Sequence, residues 1–220
     1  MMTLPVSLGT DYFVVEQILM QLSFTPTSPF VRKVLVVAHE CGLSDRVRPV
    51  LVNFRDEHSG YVAINPLGKV PALTLDDGMV LMDSPVICEY LDSLHTREKL
   101  FPLLGLARWR ALQLQAIADG ILDAGVLRFI EQRRAEEKRS AQFDEFQARK
   151  QARGIDWIEA HFDWLSGPVT IGQVAVGCML GWLDFRYPQT DWRGPHPFLA
   201  RWYVDFAARP AMIKTEPRDG

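Results

Sequence analysis

Residues 27–43, TSPFVRKVLVVAHECGL, set a serine and a proline in front of a helix-compatible run that stops at a glycine. A serine N-cap accepts a backbone N–H, and proline at the first helical position gives up a donor that would have no partner there. The spacing therefore predicts a helix over Pro29 to Glu40, ended by Gly42. Working outward, residues 65–78, NPLGKVPALTLDDG, place Val70-Pro71 between a turn-rich loop and the alternating Ala72-Leu73-Thr74-Leu75. That proline opens an edge strand or takes a cis bond, and either way the backbone of its neighbour is left free. Residues 83–91, DSPVICEYL, repeat the Ser-Pro start at a second helix, Pro85 to His95. A carboxylate, a hydroxyl and free amide groups converge at its head, where an anion or an amino acid can bind.

The flanking sequence extends this pattern. A short strand, Met20 to Phe24, precedes the first helix. Val47 to Val52, Ala72 to Leu75 and Val80 to Met82 read as further strands, with the turn between the last two at Asp77-Gly78, a pair suited to tight hairpins. A βαβ unit followed by a hairpin and a helix gives a mixed sheet of about four strands with helices on it, the thioredoxin arrangement. Residues 1–19 read as an N-terminal extension in which Tyr12 to Leu19 forms a helical turn or packing arm, and Met20 can itself serve as a start. Residues 20–95 form the first domain, 96–105 a linker with Phe101-Pro102 in its middle, and 106–220 an all-helical second domain.

Strand signals vanish in that second half. Arg108 to Glu137 and Phe143 to Leu165 read as long helices, with Ser166-Gly167-Pro168 dividing them from a third. Thr170-Ile171-Gly172-Gln173 resembles a capping box. The helix it starts is nearly apolar through Leu183, which predicts a central, buried position. A last helix spans Phe198 to Ala208, followed by a polar tail.

Composition narrows the function classes. The 24 basic and 27 acidic residues leave a formal net charge of −3, with no basic stripe for nucleic acid. No apolar run is long enough for a bilayer, and the first basic residue is Arg32, so neither a membrane span nor a signal peptide is expected; the default compartment is cytoplasmic. Cys41, Cys88 and Cys178 are widely spaced with no CxxC pair, which argues for packing roles over disulfide, zinc or dithiol chemistry. The five histidines have no ligand spacing, and no metal is expected.

Taken together, the SPFVRKV helix start, the GKVPAL strand start and the DSP helix start, followed by a helical half, resemble the glutathione S-transferase superfamily, and within it small bacterial serine-type members. The resemblance spans roughly Met20 to the C-terminus. ADGILDAG at Ala118 to Gly125 is similar to the family helix that lines the cleft and the dimer interface. Gln173 departs from the family, which usually carries Asp in that capping box.

What the resemblance implies is a site for glutathione as co-substrate, whose thiolate attacks a small apolar electrophile, in a homodimer, as in detoxification. Ser28 would stabilise the thiolate. A free thiol has a pKa of ~8.5, and lowering it by ~2 units takes about 2.7 kcal/mol, within reach of one hydroxyl bond to an anion plus a helix N-terminus. The plain alternative is an N-cap alone, and Thr25 or Thr27 could deputise. Val70, held open by Pro71, would pair with the cysteinyl backbone as an added strand; a structural cis-proline explains the same pair. Asp83 and Ser84 would hold the ammonium and carboxylate of the γ-glutamyl end, or be an exposed capping pair. Lys69 would neutralise the glycyl carboxylate or be solvated. Asp119 would reach the γ-glutamyl ammonium bound by a neighbouring subunit, or be a surface acid. Phe30, Trp109 and Arg110 are candidates for the second-substrate pocket.

Three activities fit these residues: conjugation of glutathione to an electrophile, glutathione-dependent peroxide reduction, and a non-catalytic binding role through protein contacts. Disulfide exchange is disfavoured, because Ser28 stands where thiol transferases carry a nucleophilic cysteine. The joint presence of Ser28, Asp83 and Ser84 favours a glutathione site over an empty one.

Overall fold

The computed structural model describes residues 19–218; apart from Leu19, the extension read over residues 1–19 lies outside them. Strand β1 (Met20–Phe24) pairs in parallel with β2 (Val47–Leu51) across helix α1 (Pro29–Glu40). The antiparallel hairpin β3 (Leu73–Thr74) and β4 (Val80–Leu81) completes a four-stranded mixed sheet of order β2-β1-β3-β4. Gly78 takes φ 85° in the hairpin turn, a conformation open to glycine at little cost. Val70-Pro71 is cis, and it precedes β3, which is an interior strand; of the two expectations for Pro71, the edge strand is corrected.

Helix α2 (Ser84–Ser93) packs against α1, and five further helices follow: α3 (Gly105–Gln132), α4 (Ala141–Ala160), α5 (Ile171–Arg186), α6 (Pro197–Ala207) and α7 (Pro210–Lys214). The tail expected to be merely polar thus contains α7, which packs on α1. The helix expected to run to Leu165 stops at Ala160 and continues as a 3-10 turn.

Helix α5 is buried from Ile171 to Leu183 and joins the two halves of the core. Its capping box forms: Gln173 Oε1 accepts the Thr170 N–H at 2.8 Å, and Gln173 Nε2 donates to the Leu165 carbonyl at 2.7 Å. The amide therefore does one thing an aspartate could not, since its second group ties the preceding turn to the helix. Helix α3 approaches α5 closely because Gly172 has no side chain. A Cβ there would stand 2.8 Å from the Ala111 carbonyl oxygen.

All three cysteines are buried. Burial pushes the Cys41 thiol up to about 12 and the Cys178 thiol to about 11, and raises Cys88 further still. Such thiols stay protonated at neutral pH and are poor nucleophiles. Cys41 does meet Asp92 and His95, which sequence spacing had not brought together. Each polar atom there is already engaged. Asp92 accepts the N–H groups of Leu100 and Phe101 at 2.8 and 3.1 Å, and lies 3.1 Å from His95 Nε2, while His95 Nδ1 accepts the Arg97 N–H. The cluster clamps the end of α2 to the segment leading into α3.

Candidate functional site

A cavity of about 400 Å³ opens between the sheet end of the first half and helices α3 and α5. Three backbone devices face it. The first is the head of α1, where Ser28 is the N-cap and its Oγ accepts the Val31 N–H at 3.3 Å. Accepting that bond leaves the hydroxyl proton free to be donated elsewhere, so capping and binding are compatible roles. Thr25 and Thr27 also line the cavity.

The second device is Val70. Neither its N–H nor its C=O takes a hydrogen bond among the described residues, whereas the preceding Lys69 carbonyl is held by Tyr61 Oη and Asn65 Nδ2, both at 2.7 Å. An extended peptide can therefore pair with Val70 as a further strand. The third is the head of α2. Asp83 is the N-cap, but its side chain makes no capping bond, so the first amides of the helix and the Ser84 hydroxyl are left to a ligand. The helix thus begins at Ser84, one residue before the expected start, with Pro85 in its first turn.

Both signs of charge line the cavity: Arg55, Lys69 and Arg186 supply positive charge, and Asp83, Asp119 and Asp123 negative. Asp119 does not stand free: Lys33, 1 % exposed, donates to its two carboxylate oxygens at 2.7 and 2.6 Å. Burial nevertheless pushes the Asp119 carboxyl above its ordinary range, with Lys33 opposing. Asp123, one helical turn on, is raised by burial too, with Lys69 opposing. Asp119 lines the cavity of its own chain; sequence reading left it as a carboxylate reaching the γ-glutamyl ammonium of a neighbouring subunit or as a surface acid.

The rest of the lining is largely apolar, from Phe30 and Phe54 of the first half and Val126, Phe129, Ile130 and Trp182 of the second, with the Arg186 guanidinium over the Phe129 ring at 4.6 Å. Trp182 is fixed by its indole N–H, which donates to the Thr27 carbonyl at 3.1 Å. Of the three candidates for a second-substrate pocket, Phe30 lines this cavity and Trp109 and Arg110 do not: Trp109 is 64 % exposed, and the Arg110 guanidinium lies over the Trp164 ring at 5.2 Å. They precede Asp119 by nine or ten residues, roughly 15 Å along the helix axis, so α3 carries them past the cleft. Asp123, Val126, Phe129 and Ile130 recur at helical spacing on the cleft-facing stripe of α3. That periodicity is legible in sequence once Asp119 is taken as facing the cleft.

A thioredoxin-like half with a cis-proline, joined to a helical half across a cleft, defines the class of protein. Family models for the glutathione S-transferase N-terminal and C-terminal domains match residues 27–94 and 107–204. An uncharacterised GST-like protein of Escherichia coli, YibF, is 31% identical over 201 residues, covering 90% of this chain and 98% of its own. A solved glutathione transferase family member from Pseudomonas fluorescens Pf-5, with bound glutathione, is 43% identical. It matches 91% of this chain and 100% of its own with a TM-score of 0.87. A glutathione S-transferase from Methylobacillus flagellatus, also with glutathione bound, is 37% identical, with a TM-score of 0.85 over 90% of this chain and 100% of its own. The chain belongs to the glutathione S-transferase family. No helix among the described residues is long and apolar enough to cross a membrane.

Proposed function

We propose that this protein is a serine-type glutathione transferase that binds glutathione in the cavity and presents its thiolate to a small apolar electrophile. The convergence of Ser28, the open Val70 backbone and the uncapped head of α2 on one cleft carries this reading. The α2 amides and Ser84 take the γ-glutamyl carboxylate, Asp83 and Asp123 its ammonium, Val70 the cysteinyl backbone, and Lys69 the glycyl carboxylate. Pro71 fixes the turn that keeps Val70 open.

The thiol proton leaves to water with Ser28 donating to the sulfur. The thiolate then forms a C–S bond to the electrophilic carbon, and a leaving group departs with its electron pair. The apolar wall formed by Phe30, Val126 and Trp182 supports an apolar acceptor held close to the sulfur, where proximity supplies much of the rate.

Calorimetry with S-methylglutathione, which has no ionisable thiol, tests the binding mode apart from the chemistry. The ammonium is held by ionised carboxylates, and burial raises Asp123. Affinity is therefore complete above the raised pKa and lost as pH falls through it, beginning above the ordinary carboxylate value of ~4. Affinity is expected to fall about tenfold from pH 7 to the upper carboxylate range, and Asp123→Asn to be weak throughout. Flat affinity across this range would remove Asp123 from the site, and no binding to the intact chain would sink the transferase reading in favour of a protein-binding role.

A homodimer is part of the same proposal. Leu106 and Trp109, 73 % and 64 % exposed on the first turns of α3, support a second copy packing there. Light scattering should then give about twice 25.0 kDa, and Trp109→Glu should return the monomer mass. A wild-type monomer at working concentrations overturns this part.

A further inference from the structure

We propose that Arg32, one turn after Ser28, holds the bound thiol as thiolate through the field of its buried, carboxylate-free guanidinium. This rests on the glutathione reading above and adds a residue that does not touch the ligand.

Arg32 is 6 % exposed. Its Nη2 donates to the Met212 carbonyl at 3.1 Å, but Nε and Nη1 meet no acceptor among the described residues. The charged and titratable groups around it leave it uncompensated. On α1, Lys33 is paired with Asp119, and Glu40 accepts two bonds from Arg209 at 3.0 and 2.8 Å. On α5, Asp184 is held by both terminal nitrogens of Arg193, and the Cys178 thiol is buried and protonated. On α6, burial raises the Tyr203 phenol to about 12, so it is neutral. At the end of α7 and just beyond it, Lys214, Arg218 and one exposed acid, Glu216, share the smaller cavity with Arg32.

Position gives this charge a direction. Arg32 follows Ser28 by one turn, its N–H donating to the Ser28 carbonyl at 3.1 Å, and helical side chains lean back toward the N-terminus. Ser28 borders both the main cavity and the smaller space of about 250 Å³ that Arg32 lines. The guanidinium lodges in the seam against α5 because residue 181 is glycine: a Cβ there would collide with it and stand 2.6 Å from Tyr203 Oη. The next residue, Trp182, walls the main cavity and bonds Thr27. The guanidinium is itself buried, and a charge removed from water acts on its surroundings more strongly than one in solvent. An unpaired buried cation costs stability on its own. Arrival of an anion at the head of α1 offsets that cost, and the thiol proton leaves to bulk water as it does so.

The test is a pH titration of thiolate absorbance for glutathione bound to wild type, Arg32→Met, Arg32→Gln and Arg32→Lys, with S-methylglutathione affinity and thermal midpoint measured on each. Removal of the charge in Arg32→Met should raise the thiol pKa by about one unit, a tenfold loss of thiolate below it, and Arg32→Lys should restore most of the shift. S-methylglutathione affinity should stay within about twofold, and Arg32→Met should melt no lower than wild type, because an apolar side chain of similar length replaces an unpaired buried charge. If the Met variant does not fold, Gln against Lys gives the same comparison. A wild type with a depressed thiol pKa that Arg32→Met and Arg32→Gln leave unchanged overturns this inference alone. Loss of S-methylglutathione binding along with stability makes Arg32 structural and also overturns it. A wild type that binds no glutathione overturns the underlying reading as well.

Discussion

Ser28→Ala is expected to lower the thiolate fraction of bound glutathione at neutral pH by ten- to a hundredfold, and conjugation with it. A hydroxyl bond to a charged acceptor contributes roughly 1.5 to 3 kcal/mol, and every ~1.4 kcal/mol is one unit of thiol pKa. The geometry leaves this bond available, since Ser28 Oγ uses a lone pair on Val31 and keeps its proton. The same change removes an N-cap worth about 1 kcal/mol, so stability should fall slightly while affinity for S-methylglutathione is largely kept. Thiolate absorbance and kcat/KM on one sample separate the two effects. Wild-type absorbance in Ser28→Ala would move the role to Thr25 or Thr27, which line the same cavity. Equal loss of S-methylglutathione binding would mean that Ser28 shapes the site without acting on sulfur.

The largest loss of stability should come from Asp119→Ala. Lys33 is 1 % exposed and both its hydrogen bonds among the described residues go to Asp119, so removing the carboxylate leaves an ammonium buried without a partner there. Breaking a buried pair this way costs about 3 to 5 kcal/mol, or roughly 10 °C in midpoint for a chain of this size. The double replacement Lys33→Met with Asp119→Leu should recover most of that loss, because desolvating both charges offsets much of their attraction.

The titration of Asp119 agrees with the double replacement, since burial outweighs the attraction of Lys33. Its carboxyl is raised by burial, so the folded protein holds that proton more tightly than the unfolded chain does. The sign follows: the contribution of this group to stability declines as pH rises from the ordinary carboxylate range through the raised value. Urea unfolding of the single and double variants measures all of this. An Asp119→Ala midpoint equal to wild type would show that Lys33 finds another partner.

Much of the framework was legible because its signals are local. Ser28-Pro29 marks the start of α1, Asp77-Gly78 the hairpin, and Thr170 with Gln173 the start of α5, each through atoms no more than four residues apart. The resemblance then located Ser28, Val70 and Ser84, which do border one cleft. Trp109 and Arg110 were misplaced because aromatic and basic character does not tell how far along a long helix the cleft begins. The short helix α7 escaped notice because five residues carry too little periodicity to stand out from a polar tail.

By itself the sequence determined most of the helices and strands, α7 aside, where the caps of α1 and α5 lie and that α5 is central, since these depend on turns, caps and apolar periodicity within one segment. The tertiary structure alone decided which distant groups meet. Asp119 pairs with a lysine 86 residues away, Trp182 bonds a carbonyl 155 residues away, and Arg32 is enclosed by α5, α6 and α7. The physical reason is that periodicity names the buried face of a helix but not its partner. Whether a buried charge is answered depends on packing in three dimensions, which here answers Lys33 and leaves Arg32 without a carboxylate among the described residues.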